Sequence, residues 1–343
     1  MKVLQVGSDS IHLRHFCKAI EQYTGEFVFL SETPMEIPGA SEIYVIPFRG
    51  FNLITWLFNY RQIKAMLQVE KPEIIHVHQL NRLAWMVARA AESLSIPLVT
   101  TAWGSDVLIV PKKNAFLKKI TKYILDKSRF VTADSQDMID AMMAISAHPQ
   151  RYVHLQYGIE AVLPGNKEYI IYSNRLHKPL YRIDLIIRQF AEFYPSNQSW
   201  KLVIGASGSL TDELKQLAAE LLPLTAFEFI GWVDAQTNAQ WYAKARMYVS
   251  MPESDGTSVS LLEAMSANCI PILSDLPVSH EWIIPMKNGV ILDGHSNPFE
   301  NALKIEDENC FRINQELIQN QALRTATMSK FFKIYQSTLS TKA

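Results

Sequence analysis

Short apolar segments alternate with helical segments along the chain, and this alternation constrains the fold more than any other feature. In the first half, for example, the apolar runs at residues 74–78 and 98–101 are separated by residues 83–94, which have helical periodicity. The same alternation resumes at residue 169. Strands that alternate with helices form parallel sheets covered by helices on both faces. The sequence therefore predicts an α/β fold.

A segment with little periodicity separates the two sets of strands. Residues 156–167 (QYGIEAVLPGNK) contain two Gly and one Pro, a composition typical of a hinge. With 343 residues, the chain is long enough for two domains of ordinary size. We expect one domain over residues 1–160 and another over residues 168–322. A cleft between them would hold a ligand beyond the carboxyl ends of the strands.

Composition and charge exclude several classes of protein. The net charge is −1 with 20% charged residues, so we expect no nucleic-acid partner. Cys17, Cys269 and Cys310 are far apart and form no CxxC motif, which favours reduced thiols. The sequence shows no signal peptide and no apolar run of about 18 residues. We therefore expect a cytoplasmic protein.

Residues 252–265 (PESDGTSVSLLEAM) form the most informative stretch. They follow an apolar run at residues 245–251 and change at Thr257 from a polar turn to helical periodicity. A strand that continues through such a turn into a helix presents free backbone N–H groups, which bind anions. The carboxylates of Asp255 and Glu263 flank these donors, which suits a ligand with central phosphates and terminal hydroxyls. The alternative is a simple helix cap with a solvated Glu263.

The same stretch resembles the signature of retaining glycosyltransferases of family 4, which have the GT-B fold. In that family an acid is followed by seven residues and then Glu, as in Asp255 and Glu263, although the first acid is usually Glu. The resemblance implies two Rossmann-like domains with a cleft between them. It also implies a C-terminal helix, here within residues 323–343, that crosses back to the first domain.

The donor's diphosphate is bound in this family by an Arg and a Lys, and residues 173–184 (SNRLHKPLYRID) resemble that segment. Arg175 matches the Arg. Lys178 and Arg182 are alternatives for the second cation, and we prefer Arg182. The resemblance also assigns to the phosphates the turn and helix start formed by Gly256, Thr257, Ser258 and Val259.

The donor's nucleoside is bound by two further segments that match. Residues 229–233 (FIGWV) resemble the loop whose main chain holds the nucleobase, which assigns Gly231 and Val233 to the donor site. Glu263 matches the Glu that accepts both ribose hydroxyls, a role that suits the two oxygens of a carboxylate.

Two segments of the first half match less closely. Gly7 ends the first strand and is expected to let the backbone approach the diphosphate, while His12 is expected to contact the acceptor. Residues 100–108 (TTAWGSDVL) resemble the family's T-x-H-G-x-D segment. Trp103 stands where a His often contacts the donor sugar, and a Trp ring can stack on a sugar face. Asp106 matches the family's acid and is expected to orient an acceptor hydroxyl, so Arg175, Asp255 and Asp106 are the catalytic candidates.

No metal and no cofactor are expected. His76 and His78 lie two residues apart in a strand-like run, and we expect them to point to opposite faces of the strand, which would exclude a shared metal. No other group has the spacing of metal ligands, and the cations take the role of a metal. The nucleotide sugar, UDP- or GDP-linked, is a substrate.

A membrane surface is a further expected partner. Residues 112–127 (KKNAFLKKITKYILDK) mix lysines with apolar residues, which is typical of a helix lying on an anionic membrane. Residues 51–60 (FNLITWLFNY) add aromatic side chains. The alternative is an ordinary amphipathic surface helix and a core segment. We expect a peripheral contact with the inner face of the membrane.

The predicted function is transfer of a sugar, with retained configuration, from a nucleotide sugar to a hydroxyl of a glycan or lipid-linked saccharide in surface polysaccharide synthesis. Two alternatives are a non-catalytic nucleotide-sugar-binding protein and a sugar-nucleotide epimerase. An NAD-dependent dehydrogenase is disfavoured because the first strand–helix turn lacks GxGxxG.

Overall fold

Two separate parallel sheets form the framework of the protein. The computed structural model describes residues 1–47 and 53–340. It divides into unit 1, Met1–Gly158 with Arg324–Ala343, and unit 2, Ile159–Leu323. The boundary after Gly158 lies inside the low-periodicity segment 156–167. Both units are α/β, as the alternation of apolar and helical segments predicted.

Unit 1 contains a seven-stranded parallel sheet with the order β3-β2-β1-β4-β5-β6-β7. Its strands are β1 (Val3–Val6), β2 (Phe27–Ser31), β3 (Ala40–Val45), β4 (Ile74–His78), β5 (Leu98–Thr101), β6 (Phe130–Ala133) and β7 (Tyr152–His154). Its helices are α1 (Ile11–Thr24), α2 (Leu53–Glu70), α3 (Arg82–Ser93), α4 (Ser105–Leu108), α5 (Val110–Lys113), α6 (Ala115–Lys127), α7 (Gln136–Met143) and, at the end of the chain, α15 (Arg324–Ser340).

Unit 2 contains a six-stranded parallel sheet with the order β10-β9-β8-β11-β12-β13. Its strands are β8 (Glu168–Ser173), β9 (Lys201–Gly205), β10 (Phe227–Gly231), β11 (Ala245–Ser250), β12 (Ile270–Leu273) and β13 (Val290–Ile291). Its helices are α8 (Ile183–Phe193), α9 (Thr211–Leu221), α10 (Ala235–Lys244), α11 (Val259–Ser266), α12 (Pro277–Trp282), α13 (Pro298–Ala302) and α14 (Asp307–Leu317).

The central strands are buried on both faces, which explains why they are nearly continuous apolar runs. Every residue of β1, β2, β4 and β5 is buried, as expected for parallel strands covered by helices. The edge strand β3 contains only half-buried and exposed residues instead. The carboxyl ends of these strands carry the loops that hold the candidate site residues of each unit.

The C-terminal helix α15 is part of the core of unit 1. Met328, Phe331 and Tyr335 are buried together with residues of α1 and β4. The rings of Phe16 and Phe331 meet edge to face with their centroids 4.9 Å apart. Helix α15 therefore completes the unit that contains the first strand of the chain, which is the placement that the family resemblance implied.

The prediction that His76 and His78 point to opposite faces of their strand is wrong. Side chains two residues apart in a strand share a face, and the two rings lie with their centroids 4.0 Å apart in the interior of unit 1. Both histidines are fully buried. Burial lowers the pKa of His76 to about 3 and the pKa of His78 well below its usual value. The folded protein therefore holds both rings neutral.

The buried histidine pair predicts that acid destabilises unit 1. Because the folded state depresses both pKa values, the unfolded chain binds more protons at low pH. The contribution to stability is complete above about pH 6.5 and is lost as the pH falls toward 3. Each histidine should contribute a slope of about 1.4 kcal/mol per pH unit, which urea unfolding between pH 7.5 and pH 5 can measure.

Two substitutions in unit 1 test this prediction. His78→Gln should reduce the slope by about one proton, since it removes one buried titrating ring. Gln150→Ala, at an exposed side chain of the same unit, removes no titrating group and should leave the slope unchanged. An equal slope in the wild type and in His78→Gln would contradict the assignment.

Candidate active site

The turn between β11 and α11 forms a small cavity at the start of a helix. Asp255, Gly256, Thr257 and Ser258 line a cavity of about 20 Å³ together with residues of the β12–α12 loop, which is room for about one water molecule. Ser258 is the N-cap residue of α11, yet its side chain makes no capping hydrogen bond to the helix. The N–H groups at this helix start, including that of Val259, are therefore not satisfied by their own cap.

Arg175 lies against this helix start. Its guanidinium donates one hydrogen bond to the Ser258 hydroxyl and another to Asp255 Oδ2, at 2.6 Å. The ring of Tyr181 lies 4.5 Å from the guanidinium carbon, and the side chain of Arg175 is only 11% exposed. The structure thus brings together Arg175, Asp255 and Ser258, which the sequence analysis assigned to one site from two separate segments.

The contact between Arg175 and Asp255 is a largely buried ion pair. Burial alone would lower the pKa of the Arg175 guanidinium, but the Asp255 carboxylate raises it above its ordinary value. Burial also raises the pKa of the Asp255 carboxyl, and the contact with Arg175 opposes that rise. The arginine stays positive, so it can bind an anion that replaces the carboxylate.

The preference for Arg182 as the second phosphate-binding cation is not supported by its contacts. Arg182 begins α8 with a backbone φ of 46°, and its guanidinium donates to the carbonyl oxygens of Met251 at 2.7 Å and Pro252 at 3.3 Å. The backbone N–H of Glu253 donates to Leu180 O in the same region. Arg182 therefore fixes the turn that carries Asp255, while the Lys178 side chain is exposed to solvent.

Glu263 on α11 contacts helix α10, which follows the predicted nucleobase loop in the chain. Glu263 is half-buried on α11, and the amide of Asn238 on α10 donates to Glu263 Oε2 at 3.5 Å. Gly231 has a φ of 69°, and a Cβ built there would contact nothing within 4 Å. Glycine is thus favoured at this position by the left-handed backbone conformation, and not by a lack of room for a Cβ atom. Val233 is half-buried, and Trp232 between them is 74% exposed.

In unit 1, Gly7 is a glycine because of packing. A Cβ at Gly7 would lie 2.5 Å from Leu13 Cδ2, and the Gly7 N–H donates to Leu30 O at 3.1 Å. The expected approach of this backbone to a diphosphate is therefore not needed to explain the residue. His12 lies in α1, and its side chain is outside the part of the chain that the structure describes.

The expectation that Asp106 orients an acceptor hydroxyl needs correction. The Asp106 side chain is buried, and its carboxylate accepts hydrogen bonds from the backbone N–H groups of Leu80, at 2.8 Å, and Trp103, at 3.0 and 3.2 Å. Burial raises the pKa of the Asp106 carboxyl, and these backbone donors oppose the rise. Asp106 joins the loops that follow β4 and β5, so its contacts in this structure are internal to unit 1.

Trp103 is held by a partner that the sequence analysis missed. Its indole Nε1 donates to the Tyr157 hydroxyl at 2.7 Å, and the ring is half-buried. Tyr157 lies in the low-periodicity segment 156–167, and Tyr181, the ring beside Arg175, is not one of the motif residues of segment 173–184. No signal in the sequence pairs these tyrosines with their partners, because each contact depends on the folded path of the chain.

The described part of the chain contains neither a metal-binding cluster nor a membrane-spanning helix. Within residues 1–47 and 53–340, no three His, Cys, Asp or Glu side chains are grouped in a way that could hold a metal ion. In the same part of the chain, no helix is both long and apolar enough to span a membrane.

Comparison with known proteins identifies related domains in both units. Residues 2–135 match the family model described as glycosyl transferase 4-like, and residues 159–307 match the model for glycosyl transferases group 1. No curated protein matches the chain in sequence.

Three similar solved structures share the fold. HepE from Anabaena, in complex with UDP and glucose, has a TM-score of 0.81 at 13% identity, with 98% of this chain and 100% of that chain covered. A glycosyltransferase from Rickettsia africae has a TM-score of 0.80 at 13% identity, with 99% of each chain covered. The apo form of WaaB, a lipopolysaccharide outer core galactosyltransferase, has a TM-score of 0.65 at 16% identity, with 100% of each chain covered.

These structures show the fold that the chain shares with them, and the family models cover parts of both units. Together they show that the chain has the GT-B fold, with a glycosyl transferase 4-like match in unit 1 and a glycosyl transferases group 1 match in unit 2.

Proposed function

We propose that the chain is a retaining glycosyltransferase that moves a sugar from a UDP-sugar to a hydroxyl of a glycan or lipid-linked saccharide in surface polysaccharide synthesis. The observation that carries this proposal is the contact of the Arg175 guanidinium with Ser258 at the start of α11. A cation and the N–H groups of a helix start then act on the same anion. The HepE complex with UDP and glucose supports a UDP-linked donor, and the name of WaaB supports a saccharide acceptor.

Catalysis in this proposal is stabilisation of the departing diphosphate. As the bond between sugar and phosphate breaks, negative charge develops on the phosphate oxygens, and preorganised donors there lower the barrier. Arg175 and the N–H groups from Thr257 to Val259 supply that charge stabilisation. Lys178, which is exposed, provides the second cation, and these cations take the place of a metal ion.

The two carboxylates of unit 2 bind the ends of the donor. Glu263 accepts the ribose hydroxyls, since its two oxygens can accept two O–H donors. When the diphosphate binds the Arg175 guanidinium, Asp255 loses its contact with Arg175. Asp255 then accepts a hydrogen bond from a hydroxyl of the transferred sugar. Gly231 and Val233 bind the nucleobase through the main chain.

Retention proceeds in this proposal through a front-face, oxocarbenium-like transition state. A double displacement would need a free carboxylate as nucleophile. Asp106 accepts hydrogen bonds from two backbone N–H groups, and Asp255, once the diphosphate has taken its place on Arg175, accepts a hydrogen bond from the sugar hydroxyl. Neither carboxylate has the freedom of a nucleophile, which supports attack by the acceptor hydroxyl on the face that the diphosphate leaves.

The first prediction from this proposal concerns turnover. The purified chain should release UDP from at least one of UDP-glucose, UDP-galactose and UDP-N-acetylglucosamine when a glycan or lipid-linked acceptor is added, also in the presence of EDTA. Proton NMR of the product should show the anomeric configuration of the donor. Tight binding without release would favour a non-catalytic binder, and interconversion of the donor without an acceptor would favour an epimerase.

The second prediction separates the roles of two residues. Arg175→Ala should lower kcat by about 100- to 1,000-fold, as for other lost transition-state donors. Glu263→Ala should weaken UDP binding by roughly tenfold, the effect of losing hydrogen bonds to a charged group. Steady-state kinetics and calorimetry measure the two effects. Arg312→Ala, at a side chain of unit 2 that is 58% exposed, is the control, and wild-type values in all three variants would reject the site.

The proposed membrane contact involves two helices of unit 1. On α2, Leu57 and Phe58 are 51% and 60% exposed, and on α6 Phe116 is 54% exposed. Phe116 is surrounded in sequence by exposed lysines, namely Lys112, Lys113, Lys118 and Lys119.

The predicted single helix over residues 112–127 is in fact α5 and α6, separated at Asn114, which caps α6. Phe51 and Asn52 of the predicted aromatic segment lie outside the described residues.

The structure places the helices α2 and α6 on either side of α3. The rings of Trp56 and Trp85 have their centroids 5.4 Å apart, and those of Trp85 and Tyr123 lie 6.3 Å apart. This aromatic row connects the exposed apolar residues of α2 with the basic helix α6. Apolar side chains together with lysines fit the interface of an anionic bilayer.

The third prediction tests this contact with vesicles. Binding should require anionic lipid and should weaken as salt increases, because the lysine contribution is electrostatic. Phe58→Ser and Phe116→Ser should each weaken binding by about tenfold, from the lost burial of an aromatic side chain. Leu224→Ser, at a residue of unit 2 that is 79% exposed, is the control in the co-sedimentation assay. Equal binding of all variants would exclude this surface.

A further inference from the structure

Trp103 is fixed at both ends by hydrogen bonds within unit 1. The Asp106 carboxylate accepts from the Trp103 backbone N–H at 3.0 Å, and the Tyr157 hydroxyl accepts from the indole Nε1 at 2.7 Å. Gly104, with a φ of 111°, allows the turn that follows. We infer that Tyr157 is a positioning residue that holds the half-buried ring of Trp103 as a sugar-stacking surface. This inference rests on the proposed function and assigns to it a residue that no motif marks.

The hydrogen bond from Trp103 determines where the Tyr157 proton goes. An indole nitrogen can only donate, so the Tyr157 oxygen accepts from Trp103. The Tyr157 O–H then donates to His78 Nδ1, which lies 2.7 Å away. His78 Nδ1 is therefore unprotonated, and His78 Nε2 carries the proton that Gln5 Oε1 accepts at 2.8 Å.

The same direction continues from Gln5 through the interior to a second histidine. The Gln5 amide nitrogen donates to the Tyr335 hydroxyl at 3.2 Å. Tyr335 in turn donates to His76 Nδ1 at 2.6 Å. His76 Nε2 then donates to Thr101 Oγ1 at 2.7 Å, and Thr101 contacts Thr132 Oγ1 at 2.6 Å. All four ring nitrogens of the two histidines are thus used.

The chain of hydrogen bonds runs in one direction, and the hydroxyls of Tyr157 and Tyr335 each accept one hydrogen bond and donate one. A buried polar network in which every member has its partner is rigid. It connects β1, β4, β5 and α15 to the loop that carries Trp103, since Gln5, His78 and Thr101 belong to those strands. Tyr157 therefore cannot rotate its hydroxyl away from Trp103 without breaking the bond to His78.

A fixed aromatic ring suits contact with a sugar. The apolar face of a pyranose packs on an aromatic ring, and the interaction depends on the orientation of that ring. A ring held in one orientation before the substrate arrives loses less entropy on binding. Tyr157 should therefore affect binding of the sugar portion of the donor and leave binding of the nucleotide portion unchanged.

The first test of the positioning role needs no substrate. In ¹⁵N-labelled protein, the indole signal of Trp103 is assigned with Trp103→Phe, and its exchange with solvent is measured. Tyr157→Phe should move this signal and speed its exchange by roughly fivefold, the effect of losing one hydrogen bond. Tyr152→Phe is the matched control, because it removes another tyrosine hydroxyl of unit 1, which donates to Ser146 O at 2.6 Å.

The tautomers of His76 and His78 in the same labelled protein provide a second test. Long-range ¹⁵N NMR should show both His76 and His78 as neutral rings with the proton on Nε2. A proton on Nδ1 of His78 would mean that the Tyr157 hydroxyl does not donate to this ring, and it would overturn the inference. A Trp103 signal that is unchanged in Tyr157→Phe would overturn it as well.

The second test compares UDP with UDP-glucose by calorimetry. Tyr157→Phe should weaken the binding of UDP-glucose by roughly fivefold and leave the Kd of UDP unchanged, and Trp103→Ala should show the same pattern. Tyr152→Phe should change neither value. Equal loss for both ligands would mean a general structural defect and would overturn the inference. A wild-type chain that binds neither ligand would contradict the proposed function, and the NMR spectra would then decide the positioning role by themselves.

Discussion

A buried polar group must find a hydrogen-bond partner, and this constraint organises the functional part of both units. In unit 1 it ties the Asp106 carboxylate to two backbone N–H groups and joins His76 and His78 to tyrosines and to Gln5. In unit 2 it pairs Arg175 with Asp255 and Ser258. The loops at the carboxyl ends of the strands are therefore fixed by hydrogen bonds of buried side chains, although loops usually have few such restraints.

The fold could be predicted from the sequence because its signal is local. Buried parallel strands are continuous apolar runs, and the helices between them show their own periodicity. The start of α11 was predictable for the same reason, since Asp255, Thr257 and Glu263 lie within a few residues of one another. Arg175 could be added only because its segment resembles a family motif.

The remaining site features depend on contacts between distant residues, which no local pattern encodes. The pairing of Trp103 with Tyr157 joins residues 54 positions apart, and Asp106 contacts Leu80 across two loops. The error about His76 and His78 had a different cause, because the strand was identified correctly and its alternation was applied with the wrong period. Arg182 was assigned by its charge, whereas its folded partners are carbonyl oxygens.

The position of α15 has a consequence for biosynthesis. Gln5 and Tyr335, which share a hydrogen bond, are 330 residues apart in the chain, so the core of unit 1 lacks one side until the ribosome has passed residue 335. Unit 2, which consists of Ile159–Leu323, has its complete set of strands earlier. Domains usually fold in the order in which they are made. In this protein unit 2 can complete its folding before unit 1. Until α15 has been synthesised, the apolar face of unit 1 that α15 covers stays exposed.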